Sequence, residues 1–352
     1  MSRWFERRAP LLVLRADDGS VGIGEAWSRQ QDIGHGIAAL VGFVEQQVIG
    51  RRFDGEDDIV ALVGAAPRKS WMQSAAVSAV DIALWDLLAR SRGEPLWRTL
   101  GGRTGRAGVY ASGGLYRDGT DVDDLAAEAI AWRRAGFRDA KIKVGALALA
   151  DDVARIRAVR SVLLPDAQLW VDAVNQLQPA NALRAVDAYR AAGASAVQAP
   201  VAFDDLRTMA LLNRLGLPVV AAEALHAPQD FAAMIEADAV GILQFNLALC
   251  GGFSGGMNLA RAAESRSLPL TPQTHATAVA QCAALHFGAA LRTTRSVEYH
   301  RFHDHLSHVL SAAARTVHEG VVTLGEQAGL GIALPAPGPQ PDGGEVRIAW
   351  TS

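Results

Sequence analysis

Short apolar runs alternate with longer amphipathic segments through the central part of the chain. The runs cover residues 107–112, 139–144, 168–173, 195–199, 218–222, 239–246, 269–273 and 295–299. Alanine-rich segments of helical periodicity lie between them, such as 122–135, 151–162, 179–192 and 253–267. A repeat of roughly 25 residues is the length of one strand, one helix and two short loops. The pattern therefore predicts an α/β fold, with a parallel (β/α) barrel over residues 105–313 in preference to an open doubly wound sheet.

The first hundred residues follow a different pattern. Residues 10–27 alternate apolar and polar positions on both sides of an Asp-Asp-Gly turn, which predicts a β-hairpin. A helical pattern follows from Asp32 to about Val63, and a longer one extends from Met72 to Arg90. Antiparallel strands followed by helices are typical of a separate α+β unit, predicted over residues 1–104.

The end of the chain returns to short elements. A helical pattern after residue 308 is followed by two strand-like pieces, GVVTL at 320–324 and GLGIAL at 329–334. These pieces predict that residues 314–352 return to the opening segment and complete its domain.

Polar residues close most of the apolar runs in the central region. They are Lys141, Lys143, Asp172, Gln198, Glu223, Asn246, Gln273, His275 and Glu298. Because the carboxyl ends of the strands of a parallel barrel surround one cavity, the spacing predicts that these side chains share a pocket. Lys141 and Lys143 are two apart on a strand and so face the same side. Neighbouring ammonium groups disfavour each other's protonation, which favours one lysine as a base.

Composition excludes several classes of protein. The 352 residues are 50% hydrophobic with a net charge of −3, and the basic residues form no stripe, so a nucleic-acid partner is not expected. Two cysteines are too few for a disulfide framework and indicate a reduced, cytoplasmic setting. The first ten residues are too polar for a signal peptide, and no stretch is apolar enough to predict a membrane span.

Seven stretches of the sequence resemble the enolase superfamily, in the branch of mandelate racemase and muconate lactonizing enzyme. They are DDGSVGIGEAW, AVSAVDIALWDLLARSRGEPLWRTLGG, KIKVG, LWVDA, ILQFNLALCGG, SVEY and EGVVTLGEQAGLGI, and they occur in the family's order. The resemblance covers almost the whole chain. It implies a (β/α)7β TIM-like barrel with an α+β capping domain made from both chain ends, and a homo-oligomer.

The resemblance also implies a chemistry. Family members abstract a proton next to a carboxylate and stabilise the resulting enediolate on Mg²⁺. Lys143 matches the catalytic lysine and Lys141 its partner. Asp172 and Glu223 match the first and third metal ligands, and Glu298 matches a glutamate that hydrogen-bonds the substrate carboxylate.

Several positions depart from the family pattern. Gln198 stands where the second metal ligand is a glutamate, so Asp172, Gln198 and Glu223 predict a weakened Mg²⁺ site. Removing one unit charge about 4 Å from a cation loses roughly 4 kcal/mol at an effective dielectric constant near 20, or about three powers of ten in affinity. Val174 replaces a common asparagine, although Asn175 is adjacent.

The catalytic His–Asp pair of the racemases is also missing. Asn246 and Gln273 occupy its positions, so we assign both amides, with Asn175, to substrate binding. Racemisation needs a base on each face and is therefore disfavoured, whereas elimination of water or a one-base proton transfer remains open. His275 is the candidate to replace the missing base, against the alternative of a structural loop histidine.

Two further histidine features have weaker interpretations. His226, three residues after Glu223, is a second candidate for a replacement base. The cluster at 300, 303, 305 and 308 has spacings that can chelate zinc, but a segment at the rim of the site is preferred because no recognised pattern is completed.

Three functional hypotheses follow. The leading one is a divergent enzyme of the mandelate racemase branch acting on a small carboxylate, most specifically an acid-sugar dehydratase. The alternative is a catalytically silent member that binds a carboxylate ligand or serves as a scaffold, since charge is lost at Gln198, Asn246 and Gln273 together. The third is a metal-free isomerase that uses only the two lysines.

Overall fold

The structure of the protein is a computed structural model. It describes residues 8–215, 217–275, 277–301, 314, 316–333, 338–339 and 345–346. The helix predicted after residue 308 falls almost entirely outside these ranges, as do His303, His305 and His308 of the predicted histidine cluster.

The chain opens with the predicted hairpin. Strand β1 (Leu11–Arg15) pairs antiparallel with β2 (Val21–Glu25) across a turn in which Gly19 has φ 84°. After a 3₁₀ turn at Gln30–Asp32 come helices α1 (Ile33–Gln47), α2 (Glu56–Ala65), α3 (Trp71–Ser91) and α4 (Leu96–Thr99). The helical stretch predicted over 32–63 is therefore two helices, because the chain turns between them at Gly50, where φ is 70°.

Helix α3 is the centre of this first layer. It has the length and hydropathy of a membrane-spanning helix, but 78% of its apolar window is buried inside the molecule, which identifies it as a core helix. Its backbone lies directly against β2. A Cβ atom at Gly22 or Gly24 would overlap the carbonyl oxygens of Ala83 and Ala79, so these two positions require glycine for close contact.

Eight parallel strands form the second layer, and the predicted barrel is confirmed. They are β3 (Arg106–Ser112), β4 (Asp139–Lys143), β5 (Leu169–Asp172), β6 (Ala196–Gln198), β7 (Val219–Ala221), β8 (Ile242–Asn246), β9 (Leu270–Gln273) and β10 (Val297–His300). Neighbours in this order pair in parallel from β3 to β9, and β10 pairs with β3. A bridge between Leu270 and Thr294 joins β9 to the approach to β10. The sheet closes on itself as a (β/α)7β barrel.

Seven helices connect these strands on the outside of the barrel. They are α5 (Val122–Arg134), α6 (Leu149–Val162), α7 (Pro179–Ala191), α8 (Leu206–Arg214), α9 (Pro228–Glu236), α10 (Gly252–Glu264) and α11 (Ala278–Ala290). The local sequence explains where several of these helices begin. A capping box between Asp121 and Asp124 begins α5, and proline occupies the first position of α7 and α9, where no backbone N–H is needed.

The last part of the chain lies against both layers. A hairpin of β11 (Val317–His318) and β12 (Val321–Thr323) extends the sheet, with β12 antiparallel to β3. The strand predicted at 329–334 is wrong for the described residues 329–333. Gly329, with φ 70°, makes only an isolated bridge to Pro95, because the chain turns there so that the Leu330 N–H can donate to Asp86. A short pair, β13 (Gly338–Pro339) and β14 (Glu345–Val346), follows.

Buried carboxylates connect the first layer to the barrel helices. Glu25 at the end of β2 accepts hydrogen bonds from the backbone N–H groups of Thr277 (2.8 Å) and Ala280 (2.9 Å) at the start of α11. Asp81 of α3 accepts from the Ser254 N–H at 3.2 Å, at the start of α10. Each carboxylate lies at a helix N-terminus, where exposed N–H groups favour negative charge.

The Asp81 contact predicts a pH-dependent stability. Burial raises the pKa of Asp81 to about 7. Since its folded pKa lies above its unfolded value, wild type loses stability as the pH rises from about 4 to about 7. We expect Asp81→Asn to gain up to about 4 kcal/mol of unfolding free energy relative to wild type across this window. Urea denaturation at several pH values tests this, with the exposed Asp57→Asn as the control; a pH-independent difference for Asp81→Asn contradicts the prediction.

Candidate active site

The barrel interior is built in layers that follow the alternation of side chains along each strand. A lower layer consists of Tyr110, Trp170, Ala196, Val220 and Ile242, which form one buried apolar cluster. Side chains two residues further along a strand share the same face. The next layer is therefore polar and contains Ser112, Asp172 and Gln198, at the carboxyl ends of their strands.

Lys141 is the centre of this polar layer. Its side chain is 1% exposed, and its ammonium group forms an ion pair with Glu298 of β10. It also lies 3.2 Å from Asp172 Oδ2 and donates to Gln198 Oε1 at 3.0 Å. Burial alone would lower the pKa of Lys141, but the charges of Glu298 and Asp172 outweigh burial and raise it. Lys141 is therefore a permanent cation that joins three strand ends.

Lys143 lies one layer higher and differs in environment. Its side chain is 20% exposed at the barrel mouth, and its ammonium nitrogen lies 2.6 Å from Asp172 Oδ2. One carboxylate oxygen of Asp172 thus contacts both lysines. The structure brings Lys141, Lys143 and Asp172 together as the sequence predicted, but a carboxylate shared by the two lysines was not part of that prediction.

Glu298 completes the ionic cluster. Its Oε1 atom accepts hydrogen bonds from Lys141 and from Ser112 Oγ at 2.7 Å. His300 Nε2 lies 3.4 Å from the same oxygen. Burial alone would raise the pKa of Glu298, but His300 and Lys141 outweigh it and hold this pKa well below the usual range. Because burial lowers the pKa of His300, Lys141 supplies the lasting positive charge.

Gln198 forms a bridge between a cation and an acid. Its Oε1 atom accepts from Lys141, and its Nε2 atom donates to Glu223 Oε1 at 3.2 Å. Burial, followed by the charge of Asp172, raises the pKa of Glu223 to about 7. The other oxygen, Glu223 Oε2, is buried and accepts no hydrogen bond from the described part of the chain.

The opposite wall carries amides and imidazoles. Asn246 Nδ2 donates to Gln273 Oε1 at 2.9 Å, and Asn246 Oδ1 accepts from the Ala248 N–H at 2.9 Å. The His275 ring contacts the His300 ring edge to face, with centroids 5.7 Å apart. His275 is thereby connected through His300 to Glu298.

The remaining candidates lie nearer the rim. Asn175 follows β5, and its N–H donates to the Ala199 carbonyl at 2.7 Å, beside the end of β6. Burial lowers the pKa of His226. The charges of Asp230 and Arg29 also act on this pKa, in opposite directions. Neither Glu298 nor the lysines are among the groups acting on His226.

Left-handed backbone is concentrated at three neighbouring strand ends. Val174, Asn175, Ala199 and Ala222 have φ values of 49°, 56°, 43° and 99°. Such values are uncommon for residues other than glycine and concentrate at functional sites. They follow β5, β6 and β7 immediately, where Asp172, Gln198 and Glu223 stand.

Sequence reasoning missed Ser112 and the contact of His300 with the ionic cluster. Ser112 ends β3 and is two residues from Tyr110, and His300 is two residues from Glu298. Side-chain alternation along the strand was the available signal for both. Within the described residues, no group of three or more His, Cys, Asp or Glu side chains is arranged to bind a metal.

Comparison with known proteins agrees with this architecture. Residues 3–101 match the family model of the mandelate racemase/muconate lactonizing enzyme N-terminal domain. Residues 124–337 match the enolase C-terminal domain-like model. The chain therefore belongs to the mandelate racemase/muconate lactonizing enzyme branch of the enolase superfamily, and it is an enzyme of that superfamily.

Individual relatives have related activities. D-galactarolactone cycloisomerase of Agrobacterium fabrum is 32% identical over 94% of this chain and 90% of that protein. Arabinonate dehydratase of Saccharolobus solfataricus is 28% identical over 74% of this chain and 70% of that protein. The magnesium-bound crystal structure of a racemase from Streptomyces coelicolor A3(2) superposes with a TM-score of 0.79 at 26% identity, covering 92% of this chain and 88% of that one.

The Lys141–Glu298 pair predicts a large coupling in stability. Lys141→Met leaves Glu298 buried and uncompensated, which we expect to cost about 3–5 kcal/mol of unfolding free energy. Adding Glu298→Gln removes the uncompensated charge, so the double variant should recover part of that loss. Urea denaturation of the four proteins in this cycle measures the coupling. Additive effects of the two substitutions would contradict the ion-pair assignment.

Proposed function

We propose that this enzyme abstracts the proton next to the carboxylate of an acid sugar with Lys143 and eliminates the neighbouring hydroxyl group as water. The observation that carries the proposal is the use of lysine in this chain. Of 34 lysine and arginine residues, three are lysines: Lys69, Lys141 and Lys143. Arginine serves almost everywhere a positive charge is wanted, and arginine does not deprotonate in proteins. Lysine is used at the barrel mouth, where an amine that can accept a proton is needed.

The environments of the two lysines suggest different roles. Lys141 is enclosed by Glu298, Asp172 and Gln198, so it supplies fixed positive charge. Lys143 reaches the mouth and is partly exposed, so it is the lysine that can contact a substrate. In the proposed step Lys143 acts as the neutral amine: the substrate C–H bond breaks, its proton moves to the lone pair of Lys143 Nζ to give the ammonium form, and the electron pair passes into the enediolate of the carboxylate.

The oxygen donors nearby fit Mg²⁺. Mg²⁺ is commonly bound by one or two carboxylates, with water and substrate oxygens completing the octahedron. Asp172 and Glu223 are the two carboxylates, and Glu223 Oε2 is a buried oxygen that no described hydrogen bond satisfies. Bound there, Mg²⁺ would offset the negative charge that develops on the substrate carboxylate.

The opposite wall would complete the elimination. His275 follows β9, two residues after Gln273, which forms a hydrogen-bonded amide pair with Asn246. When the enediolate collapses, its electron pair forms a carbon–carbon double bond as the substrate C–O bond breaks, and the departing hydroxide takes a proton from protonated His275 and leaves as water. The amides would hydrogen-bond substrate hydroxyl groups, which supports a polyhydroxylated substrate over an apolar one.

A second candidate is the opening of an acid-sugar lactone. The similarity over 94% of the chain to a D-galactarolactone cycloisomerase favours it. Both reactions can begin with the same proton abstraction by Lys143. They differ in the leaving group, since a lactone oxygen departs as a carboxylate and needs little protonation.

Substitution of Lys143 tests the proposed base. Lys143→Arg keeps a cation beside Asp172 but removes the amine that can deprotonate. We expect it to reduce solvent exchange of the α-proton by roughly 10²–10⁴-fold. Proton NMR in D₂O with Mg²⁺ and galactarate, arabinonate or galactarolactone measures the exchange. The exposed Lys69→Arg is the matched control and should retain wild-type rates. No exchange by wild type with any of these substrates would contradict the proposed reaction, and equal exchange rates in wild type and Lys143→Arg would contradict Lys143 as the base.

Substitution of His275 separates the two candidate reactions. We expect His275→Asn to slow dehydration of an acid sugar by about 10²-fold or more while leaving α-proton exchange largely intact. Lactone opening should change much less, because its leaving group is a weak base. Product formation followed by NMR beside the exchange rate distinguishes these cases. Equal losses of exchange and elimination would contradict the role of His275 as the acid.

A further inference from the structure

Two oxygen atoms in the segments that follow β5 and β7 are enclosed but unsatisfied. Asn175 Oδ1 and Glu223 Oε2 have almost no solvent-accessible area and accept no hydrogen bond from the described residues. A buried polar atom without a partner is costly, and native structures leave few of them. The two oxygens belong to the segments that follow β5 and β7, on either side of Gln198 at the end of β6.

The turn after β5 folds Asn175 back toward the strand ends. Asp172 Oδ1 accepts a hydrogen bond from the Val174 N–H at 2.9 Å, so the chain bends directly over this carboxylate. The Asn175 N–H then donates to the Ala199 carbonyl at 2.7 Å. Val174 and Asn175 both adopt left-handed φ values to make this turn. The turn therefore places the Asn175 backbone beside the ends of β5 and β6.

Both the oxygen and the nitrogen of the Gln198 amide already form hydrogen bonds. Its oxygen accepts from the buried Lys141 ammonium at 3.0 Å, and its nitrogen donates to Glu223 Oε1 at 3.2 Å. Turning the oxygen toward a cation would remove an acceptor from Lys141. It would also remove the donor that orients Glu223. Gln198 is thus better placed as a bridge than as a ligand.

We propose that Asn175 Oδ1 supplies the third protein oxygen of the divalent-cation site, with Asp172 and Glu223, while Gln198 stays outside the coordination sphere. A carbonyl oxygen is a suitable ligand for a hard cation such as Mg²⁺ or Mn²⁺. The third protein ligand is thus assigned to the turn after β5, and not to the end of β6. This inference rests on the proposed function, because Mg²⁺ enters there. It reassigns Gln198 from the predicted metal ligands and Asn175 from the predicted substrate-binding residues.

Direct cation binding tests the assignment without a substrate. The probes are Mn²⁺, followed by the loss of its free-ion EPR signal, and Mg²⁺, followed by calorimetry. We expect Asn175→Leu to weaken Mn²⁺ binding by at least about tenfold and Gln198→Met to weaken it far less. Gln178→Ala is the control, since Gln178 is exposed just beyond this turn and its side chain makes no capping hydrogen bond, so the variant should bind as wild type.

A variant expected to gain affinity controls for misfolding as the cause of a lost affinity. Asn175→Asp puts a carboxylate at the proposed ligand position and should bind Mn²⁺ more tightly than wild type, a result that a damaged fold cannot produce. Thermal melts of all variants accompany the titrations. Unchanged affinity in both Asn175 variants, or a larger loss in Gln198→Met than in Asn175→Leu, overturns the assignment.

The outcomes separate this inference from the proposed function. If Asn175→Leu binds Mn²⁺ normally and α-proton exchange still requires Lys143, only the ligand assignment fails. If cation affinity depends on Asn175 but wild type exchanges no α-proton, the ligand assignment stands and the proposed reaction fails. If wild type binds no Mn²⁺ at millimolar concentration, the ligand assignment and the magnesium role fail together.

Discussion

The arrangement of the site depends on one buried ammonium group. Lys141 contacts Glu298, Asp172 and Gln198, which come from three different strands. An ammonium group without these partners would be too costly to bury. The same contacts keep Glu298 ionised, fix the orientation of the Gln198 amide and occupy one oxygen of Asp172. The mouth of the barrel therefore lies above a buried positive charge that these contacts hold in place.

The first layer of the protein is more than a cover over the barrel. Its buried carboxylates Glu25 and Asp81 bind the N-termini of α11 and α10. These helices follow β9 and β8, the strands that lead to His275 and Asn246. A change in how this layer packs would thus be transmitted to the wall opposite Lys143. Hydrogen bonds to helix ends give this connection a defined geometry, which apolar packing alone would not.

Sequence periodicity was enough to predict the barrel, because the apolar patterns of strands and helices differ clearly. The polar residues at the strand ends could also be named from the sequence. The interruption at Gly50 and the irregular path at Gly329 were missed, since both depend on backbone angles that other contacts select. The orientation of Gln198 could not be read from the chain either. It is decided by Lys141, 57 residues away in sequence. Side-chain direction within a site is a property of the assembled barrel.

The scarcity of lysine has a practical consequence for handling the enzyme. Among the lysine side chains, amine-directed reagents such as activated esters encounter Lys69 on the surface and Lys143 at the mouth, whereas Lys141 is sealed inside. Surface attachment at a lysine would therefore tether the molecule mainly through Lys69. After Lys69 is replaced, acylation of Lys143, distinguished by peptide mapping from acylation of the α-amino group, becomes a stoichiometric count of open mouths. Occupancy of the cavity can then be measured by mass spectrometry, without knowing what the enzyme turns over.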